Sequence, residues 1–206
     1  ATPLSLAISN LTNGTTYTFR VAANNIAGAS PYSSEVQVTP LGLALIAIPD
    51  TSTATAGGFT FNITNYSSQS NWSASVTAGS GTVSLGTAVG NRLPVTVTNM
   101  NPGATVSVRI TTTRTNYETG TADTAGTSLI SALTPTFGSA SVTTNGYTVP
   151  ISNFDSNYEW SVTSSSGSAQ IISGAVKVTG AAFATSVTAT VTATRTGYVT
   201  GSANFS

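Results

Sequence analysis

The chain has 206 residues, with six Lys or Arg, six Asp or Glu and a formal net charge of +0. Charged residues make up 6% of the chain, against about 25% in an ordinary soluble domain, so the sequence offers no basic face for nucleic acid. Cys and His are absent, which excludes disulfides, thiol nucleophiles, Ser-His-Asp triads and histidine metal sites and predicts neither an enzyme nor a cofactor.

The first forty residues contain an alternating strand in which Tyr17, Phe19 and Val21 share one face. The segment from Leu11, through an Asn-Gly turn and Tyr17, to a second strand over residues 35–39 resembles the C-terminal half of a fibronectin type III domain. In that family the Leu, the Gly turn and the Tyr form a tyrosine corner. The resemblance covers about 40 of the 206 residues, and it implies an incomplete domain over residues 1–40, because the family's first strands and its usual buried Trp are missing.

This missing half leaves an apolar face without a partner layer. The residues that would form the face are Leu4, Leu6, Ile8, Tyr17, Phe19 and Val21. A few strands that lack an opposite sheet are marginally stable in water. Two explanations remain open: the chain is a fragment of a longer protein, or neighbouring molecules supply the missing strands.

Two short apolar segments connect the parts of the chain. Residues 41–48 form the longest apolar run, which is too short to cross a bilayer, so no membrane insertion is expected. Residues 129–133 form a similar segment further on. Neither is a flexible Gly/Ser tether, and we expect their apolar side chains to be buried against both neighbouring domains and to limit bending.

The rest of the chain contains two copies of one strand pattern. Gly58-Phe-Thr-Phe-Asn-Ile-Thr-Asn-Tyr66 aligns with Gly146-Tyr-Thr-Val-Pro-Ile-Ser-Asn-Phe154, an offset of 88 residues, and Thr113-Arg-Thr-Asn-Tyr-Glu-Thr-Gly120 aligns with Thr194-Arg-Thr-Gly-Tyr-Val-Thr-Gly201, an offset of 81. The second copy has therefore lost seven residues, and residues 77–94 are the expected place. Each copy has the length of a small β-sandwich. We predict an all-β protein of tandem antiparallel Ig-like sandwiches over 43–126 and 129–206, preceded by the incomplete one.

These copies are similar to the Ig-like or fibronectin-like repeats of bacterial cell-surface proteins. The resemblance is carried by Gly-[Phe/Tyr]-Thr, by a Trp shared at the offset of 88 residues, and by Thr-Arg-Thr-x-Tyr-x-Thr-Gly. It implies an extracellular location at the bacterial surface.

The candidate site residues recur in both copies, which favours structural roles. Trp72 and Trp160 each lead an alternating strand and are expected to pack in the core, with carbohydrate stacking as the alternative. Arg114 and Arg195 each precede a Tyr by three residues, Tyr117 and Tyr198. We expect each Arg stem to cover a sheet edge and its head to meet a Tyr ring, with binding of an anionic ligand as the alternative.

Three functions fit these observations. The first is a non-catalytic stalk or adhesive segment of a secreted bacterial surface protein. The second is a subunit of an extracellular filament or sheath, with strands completed by neighbouring chains. The third is a carbohydrate-binding accessory module. The expected partners are neighbouring domains of a longer chain or neighbouring subunits, with surface glycans or proteins as further candidates. We expect no binding of nucleic acid and no membrane insertion.

Overall fold

The computed structural model describes residues 5–183 and 185–206, so Leu4 of the predicted apolar face lies outside the described residues. Every regular element in the described part of the chain is a β-strand. The predicted all-β fold class, with tandem antiparallel sandwiches, is confirmed.

The N-terminal unit is a small set of hairpins. Its strands are β1 (Tyr17–Phe19), β2 (Asn24–Asn25), β3 (Gly28–Ala29) and β4 (Val36–Val38). Strand β1 pairs antiparallel with β4, and β2 pairs with β3. The hydroxyl of Tyr17 accepts a hydrogen bond from the backbone N–H of Thr12 at 3.0 Å, the kind of contact that defines a tyrosine corner. This bond fixes the turn that precedes β1.

One face of this unit remains largely open. Val38 lies opposite Tyr17, and Val36 lies opposite Phe19, so these four side chains share a face. Both valines are exposed and both aromatic rings are only half-buried. Other large apolar side chains of the unit are also exposed, namely Leu6, Ile8, Val21, Ile26 and Tyr32.

The first sandwich has seven strands. They are β5 (Thr53–Thr55), β6 (Gly58–Ile63), β7 (Asn71–Ala78), β8 (Thr82–Leu85), β9 (Leu93–Thr98), β10 (Thr105–Thr113) and β11 (Gly120–Thr127). One sheet has the order β5-β6-β9-β8 and the other has the order β11-β10-β7. Labelled A to G, these sheets are ABED and CFG, which is the strand order of the constant-type immunoglobulin fold.

The second sandwich repeats this topology. Its strands are β12 (Ser141–Thr143), β13 (Gly146–Pro150), β14 (Glu159–Ser164), β15 (Ser168–Ile172), β16 (Ala175–Thr179), β17 (Ala189–Thr194) and β18 (Gly201–Phe205). The sheets have the orders β12-β13-β16-β15 and β14-β17-β18. The strand order is therefore again ABED and CFG.

Each sandwich has its own hydrophobic core, built from alternate strand residues as the sequence predicts. The first core contains Phe59, Phe61, Ile63, Val95, Val97, Val106, Val108 and Ile110, and the second contains Tyr147, Val149, Ile151, Val176, Val178, Val187, Ala189 and Val191. The residues between them face outward and are mostly Thr or Ser. Lys177 lies on the exposed face of β16, opposite Thr148 and Gln170.

Strand register locates the seven residues lost from the second copy. Trp72 on β7 matches Trp160 on β14, an offset of 88 residues. Leu85 pairs with Val95, and the matching pair is Ile171 with Val176, so the offset falls first to 86 and then to 81. The two residues lost first correspond to residues 77–78, the end of β7, where the pairing with β10 shifts register, and five more are lost from the loop between β8 and β9. Both sites lie in the predicted region, and loops tolerate changes of length.

The prediction that the apolar connecting segments are buried is wrong for five of their side chains. Leu41, Leu43, Ile46 and Ile48 are 54%, 86%, 50% and 56% exposed, and Ile130 is 41% exposed. Ala47 is buried in the first core, and the remaining side chains are half-buried, namely Ala44, Leu45, Leu129, Ala132 and Leu133. Main-chain contacts therefore add to a partial apolar burial in holding these segments.

Six of the twelve charged residues form ion pairs, which the sequence did not predict. Arg109 on β10 lies opposite Asp123 on β11, with two hydrogen bonds of 2.8 Å. Asp50 accepts hydrogen bonds from the backbone N–H of Asn62 at 2.6 Å and from Arg92 at 2.5 Å. The Asn62 N–H is the main reason that the pKa of Asp50 lies below its ordinary value.

This depressed pKa predicts acid sensitivity of the first sandwich. The ionised Asp50 carboxylate stabilises the fold fully above the ordinary Asp pKa of about 3.9. This stabilisation is lost as the pH falls through the lowered pKa. Replacing Asp50→Asn should therefore flatten the decline of the unfolding midpoint between about pH 5 and pH 2. Trp72 fluorescence in a Trp160→Phe background reports on this sandwich. Glu118→Gln is the control, and an unchanged pH profile for Asp50→Asn would contradict the prediction.

Candidate functional site

The residues shared by both copies gather where the chain enters each sandwich. We call residues 42–48 and 130–136 the entry segments of the first and second sandwich; they correspond at the offset of 88 residues. Each entry segment crosses the end of the sandwich that carries the loop between strands B and C and the turn between strands F and G. These two connections supply the contacts described below.

The first contact is a parallel β-bridge between the entry segment and the F–G turn. Gly42 donates its N–H to the carbonyl of Asn116 at 2.8 Å and accepts from the N–H of Glu118 at 2.9 Å. In the second copy, Ile130 donates to Gly197 at 3.0 Å and accepts from Val199 at 2.9 Å. The same two-bond bridge therefore anchors both entry segments.

The second contact is made by an Asn in the B–C loop. The Asn65 amide donates to the carbonyl of Ile46 at 2.8 Å, and its Oδ1 accepts from the N–H of Ile48 at 2.9 Å. Asn153 makes the same pair of bonds to Thr134 and Thr136, at 2.8 and 2.9 Å. The Asn side chain thus donates and accepts one hydrogen bond with the entry segment, as a main-chain residue of a neighbouring strand would. We call this arrangement the Asn clamp.

The third contact depends on a Gly at the start of strand G. A Cβ atom at Gly120 would lie 2.1 Å from the carbonyl oxygen of Leu45, and one at Gly201 would lie 2.0 Å from that of Leu133. Real side chains do not approach a carbonyl so closely, so only Gly lets the entry segment cross here. This explains the final Gly of the motif Thr-Arg-Thr-x-Tyr-x-Thr-Gly. In the first copy, the hydroxyl of Thr112 also donates to the Leu45 carbonyl.

The predicted Arg and Tyr residues shape the F–G turn. The Arg114 guanidinium lies 4.2 Å from the centre of the Tyr117 ring, and that of Arg195 lies 4.7 Å from the Tyr198 ring and 5.5 Å from Tyr158. The Tyr N–H donates to the Arg carbonyl at 3.1 Å in both copies. Exposed cation–π pairs contribute only about 0.5–1 kcal/mol, so these pairs stiffen a turn whose main-chain bridge holds the entry segment.

The residue directly before each Tyr, at the first variable position of the motif, needs an unusual backbone conformation. Asn116 has φ 65° and Gly197 has φ 82°. Both lie in the left-handed region, which Asn and Gly tolerate best.

The two tryptophans support the B–C loop. Trp72 donates its indole N–H to the carbonyl of Ser67 at 2.9 Å, and Trp160 donates to Asp155 at 2.8 Å. Each ring packs beside the aromatic residue that follows the clamp Asn, with centroids 5.6 Å from Tyr66 and 5.2 Å from Phe154. Both indoles are half-buried against their core. They brace the loop that carries the clamp, while their role as core or ligand-stacking residues stays a prediction.

The far end of the first sandwich binds the residues just before the second entry segment. Leu129 donates its N–H to Thr55 at 3.0 Å and accepts from Gly103 at 3.2 Å. Ser128 is buried, and it donates its N–H to Ala104 at 3.0 Å and its hydroxyl to Asn101 at 2.7 Å. Leu129 is therefore bonded to the first sandwich, and the next residue is bonded to the second.

A related arrangement connects the N-terminal unit. The N–H of Gly14 donates to the carbonyl of Pro40 at 2.8 Å, two residues before the β-bridge of Gly42. A Cβ atom at Gly14 would lie 2.1 Å from the Asn116 side chain. The turn at Gly14 therefore lies directly against the F–G turn of the first sandwich.

The surroundings of the entry segments were also searched for a pocket and for possible metal ligands. A cleft of about 270 Å³ beside the first entry segment is lined by Leu45, Arg114, Tyr117 and Glu118, among others. Within residues 5–183 and 185–206, acidic side chains form no group of three that could hold a metal ion. In the same part of the chain, no helix is long and apolar enough to span a membrane.

Comparisons with known proteins add little to this description. No protein-family model matches the chain, and no curated protein matches it. Among solved structures, the crystal structure of the Protocadherin GammaB4 extracellular domain aligns with 92% of this chain at 13% identity and a TM-score of 0.29. This chain spans 37% of the length of that one. The fold assignment therefore rests on the strand order and the cores.

Sequence reasoning missed the Asn clamp, although its signal was present. Asn65 and Asn153 stand at the same place in the two aligned segments, directly before Tyr66 and Phe154. An Asn that recurs at the end of a strand indicates a side chain that bonds to main chain.

The clamp predicts that Asn153→Asp destabilises the second sandwich by about 1–3 kcal/mol. The substitution keeps the shape of the side chain but removes the donor to Thr134 and places a negative charge against its carbonyl. Trp160 fluorescence in a Trp72→Phe background measures unfolding of this sandwich by denaturant. The exposed Asn204 provides the matched control, and equal losses for Asn153→Asp and Asn204→Asp would contradict the clamp.

Proposed function

We propose that the chain is a non-catalytic structural or adhesive segment of a secreted bacterial surface protein, a semi-rigid stalk of tandem β-sandwiches. Its domains are the N-terminal unit over 1–40 and the two sandwiches over 43–126 and 129–206. The observation that carries this proposal is the pair of neighbours Leu129 and Ile130. Their main-chain groups bond to the first and second sandwich respectively, so the connection has no unbonded residue about which it could bend freely.

The composition of the surface supports an extracellular spacer. Outward strand positions carry mostly Thr and Ser, which favour extended backbone and remain hydrated without charge. A neutral surface attracts neither nucleic acid nor anionic membrane. Such a surface suits a segment that separates other parts of a protein, and the resemblance of the two copies to bacterial surface repeats favours that setting.

The stalk predicts a narrow distance distribution between the sandwiches that depends on the junction. The chain has no Cys, so Ser84→Cys and Gln170→Cys, both exposed, place one spin label on each sandwich. Inserting Gly-Gly between Leu129 and Ile130 separates the two sets of hydrogen bonds by a flexible segment. Double electron–electron resonance, which measures the distances between the two labels, should then show a broader distance distribution.

The matched control inserts Gly-Gly after Thr87, in the loop between β8 and β9. This loop differs by five residues between the copies, so it should accept the insertion without broadening the distribution. Equal widths for the uninserted chain and the junction insertion would contradict a stalk that is stiffened by main-chain bonds.

A second candidate function is a subunit of an extracellular filament, and the exposed face of the N-terminal unit favours it. Val36 and Val38 are 58% and 47% exposed beside the half-buried rings of Tyr17 and Phe19. Strands supplied by another chain would cover this face. Its edges carry few charged residues that would oppose such pairing.

The filament predicts association that rises with concentration and depends on this face. Sedimentation velocity should show larger species as concentration increases, and Val38→Asp should abolish them. Val38→Thr, which keeps the β-branched shape, should weaken them without unfolding the hairpin. Val89→Asp, at an exposed site of the first sandwich, should have no effect. A monomer at every concentration would exclude this function and leave the stalk unaffected.

A further inference from the structure

The cleft of about 270 Å³ beside the first entry segment lies between the B–C loop and the F–G turn. All of the residues that line it lie between positions 43 and 118, so its walls belong to the first sandwich and its entry segment. They include Leu43, Leu45, Ser70, Arg114, Tyr117 and Glu118. The second sandwich repeats this framework, and its counterpart residues indicate what the cleft accepts.

The B–C loops of the two copies place one side chain at the same point. Ser70 donates its N–H to the carbonyl of Ser67 at 3.3 Å. Its counterpart Tyr158, at the offset of 88 residues, donates to the carbonyl of Asp155 at 3.1 Å. In each copy this same carbonyl also accepts the indole N–H of the shared Trp. The side chains of Ser70 and Tyr158 therefore extend from loops of matching geometry.

In the second sandwich, the Tyr158 ring occupies the space beside the F–G turn. Its centre lies 5.5 Å from the centre of the Tyr198 ring, and the two ring planes meet at 72°, which is the edge-to-face arrangement that aromatic pairs favour. The Arg195 guanidinium lies 5.5 Å from the centre of the Tyr158 ring. A second Tyr ring and an Arg thus hold a phenol ring at this place.

In the first sandwich, the residues that would hold such a ring line the cleft. Tyr117 and Arg114 are the counterparts of Tyr198 and Arg195, and both line the cleft together with Ser70. The F–G turns of the two copies share the same main-chain bond from Tyr to Arg. Because the Ser70 side chain ends at its hydroxyl, it leaves room where the Tyr158 ring lies in the second copy.

Two further side chains of the cleft favour a phenol ring that comes from outside the sandwich. Leu43 is 86% exposed beside the cleft, and an incoming aromatic ring would cover part of this apolar surface. Glu118 stands where the second copy has the apolar Val199. A carboxylate accepts a hydrogen bond from a phenolic hydroxyl, which Val199 could not do. This difference favours a tyrosine side chain over a phenylalanine or an aliphatic one.

We propose that the cleft binds the phenol ring of a tyrosine side chain from a partner protein, in the place that Tyr158 takes in the second sandwich. The incoming ring packs against Tyr117 and Arg114, and its hydroxyl donates to Glu118. Tyrosine side chains seated in pockets are common anchors of protein interfaces. The site goes beyond the proposed stalk, because it needs only the first sandwich and its entry segment.

The test uses the whole chain, labelled with nitrogen-15 and followed by NMR, with N-acetyl-L-tyrosinamide as the probe. The probe should shift the amide signals of residues 70 and 114–118 in a saturable manner, with a dissociation constant in the millimolar range that a single small ring provides. N-acetyl-L-phenylalaninamide lacks the hydroxyl and should bind about three- to tenfold more weakly. Methyl β-D-glucoside represents a sugar ligand and should give no saturable shift.

An exchange of residues between the two copies supplies the matched controls. Ser70→Tyr gives the first sandwich the ring of the second and should abolish the shifts. Ser84→Tyr, at an exposed Ser of the same sandwich, should leave them unchanged. Tyr158→Ser should open the counterpart site and add saturable shifts at Arg195 and Tyr198. Dispersed amide signals verify that each variant is folded.

Three results would overturn the proposal: no saturable shift with the tyrosine probe, full retention of binding in Ser70→Tyr, or tighter binding of the glucoside than of the tyrosine probe. A folded Tyr158→Ser variant without new shifts would also contradict it, because the two copies would then not hold a ring in the same way. These measurements do not depend on the distance distribution between the sandwiches, so the stalk can fail while the site is retained, and the reverse.

Discussion

The structure depends on the alternating directions of main-chain hydrogen bonds along an extended strand. Successive residues present their N–H and C=O groups to opposite sides, so one short segment can pair with two different bodies. At Leu129 and Ile130 this alternation joins the two sandwiches. No long side chain or charged pair is required, which suits a chain with 6% charged residues. Each sandwich thus supplies hydrogen-bond partners to one of two neighbouring residues, so separating the sandwiches at this point would break main-chain bonds on one side or the other.

The Asn clamp and the Gly of strand G follow from this constraint. An entry segment that pairs with only the F–G turn would leave its next residues unpaired on the side of the B–C loop. Asn65 and Asn153 supply a donor and an acceptor there without adding a strand. Gly120 and Gly201 remove the Cβ that would push the segment away. The tryptophans hold the loop from which the clamp extends, so the shared aromatic residues serve the same contact.

Sequence alternation predicted the strands and cores because burial of one strand face requires a period of two, as Phe59, Phe61 and Ile63 illustrate. It could not predict the pair Arg109 and Asp123, since their meeting depends on strand register and not on spacing along the chain. The clamp was missed for a related reason: Asn65 bonds to main chain about 19 residues away, and main chain has no sequence signature. Leu41 and Leu43 are exposed, contrary to expectation, because the neighbouring Gly42 is held by main-chain bonds, which apolar character does not indicate.

Differences between the two copies separate what the junction requires from what a sandwich can change. The second copy lacks seven residues between the positions of Val76 and Leu93, and the ion pair of Asp50 with Arg92 has no counterpart, because Gly138 replaces Asp50 in the second copy. The entry end, in contrast, retains the clamp, the Gly, the Arg–Tyr turn and the Trp. A function located in the variable loops would not require this end to stay the same in both copies. A function that depends on how one sandwich is joined to the next does require it, and this likeness of the two entry ends supports the proposed stalk.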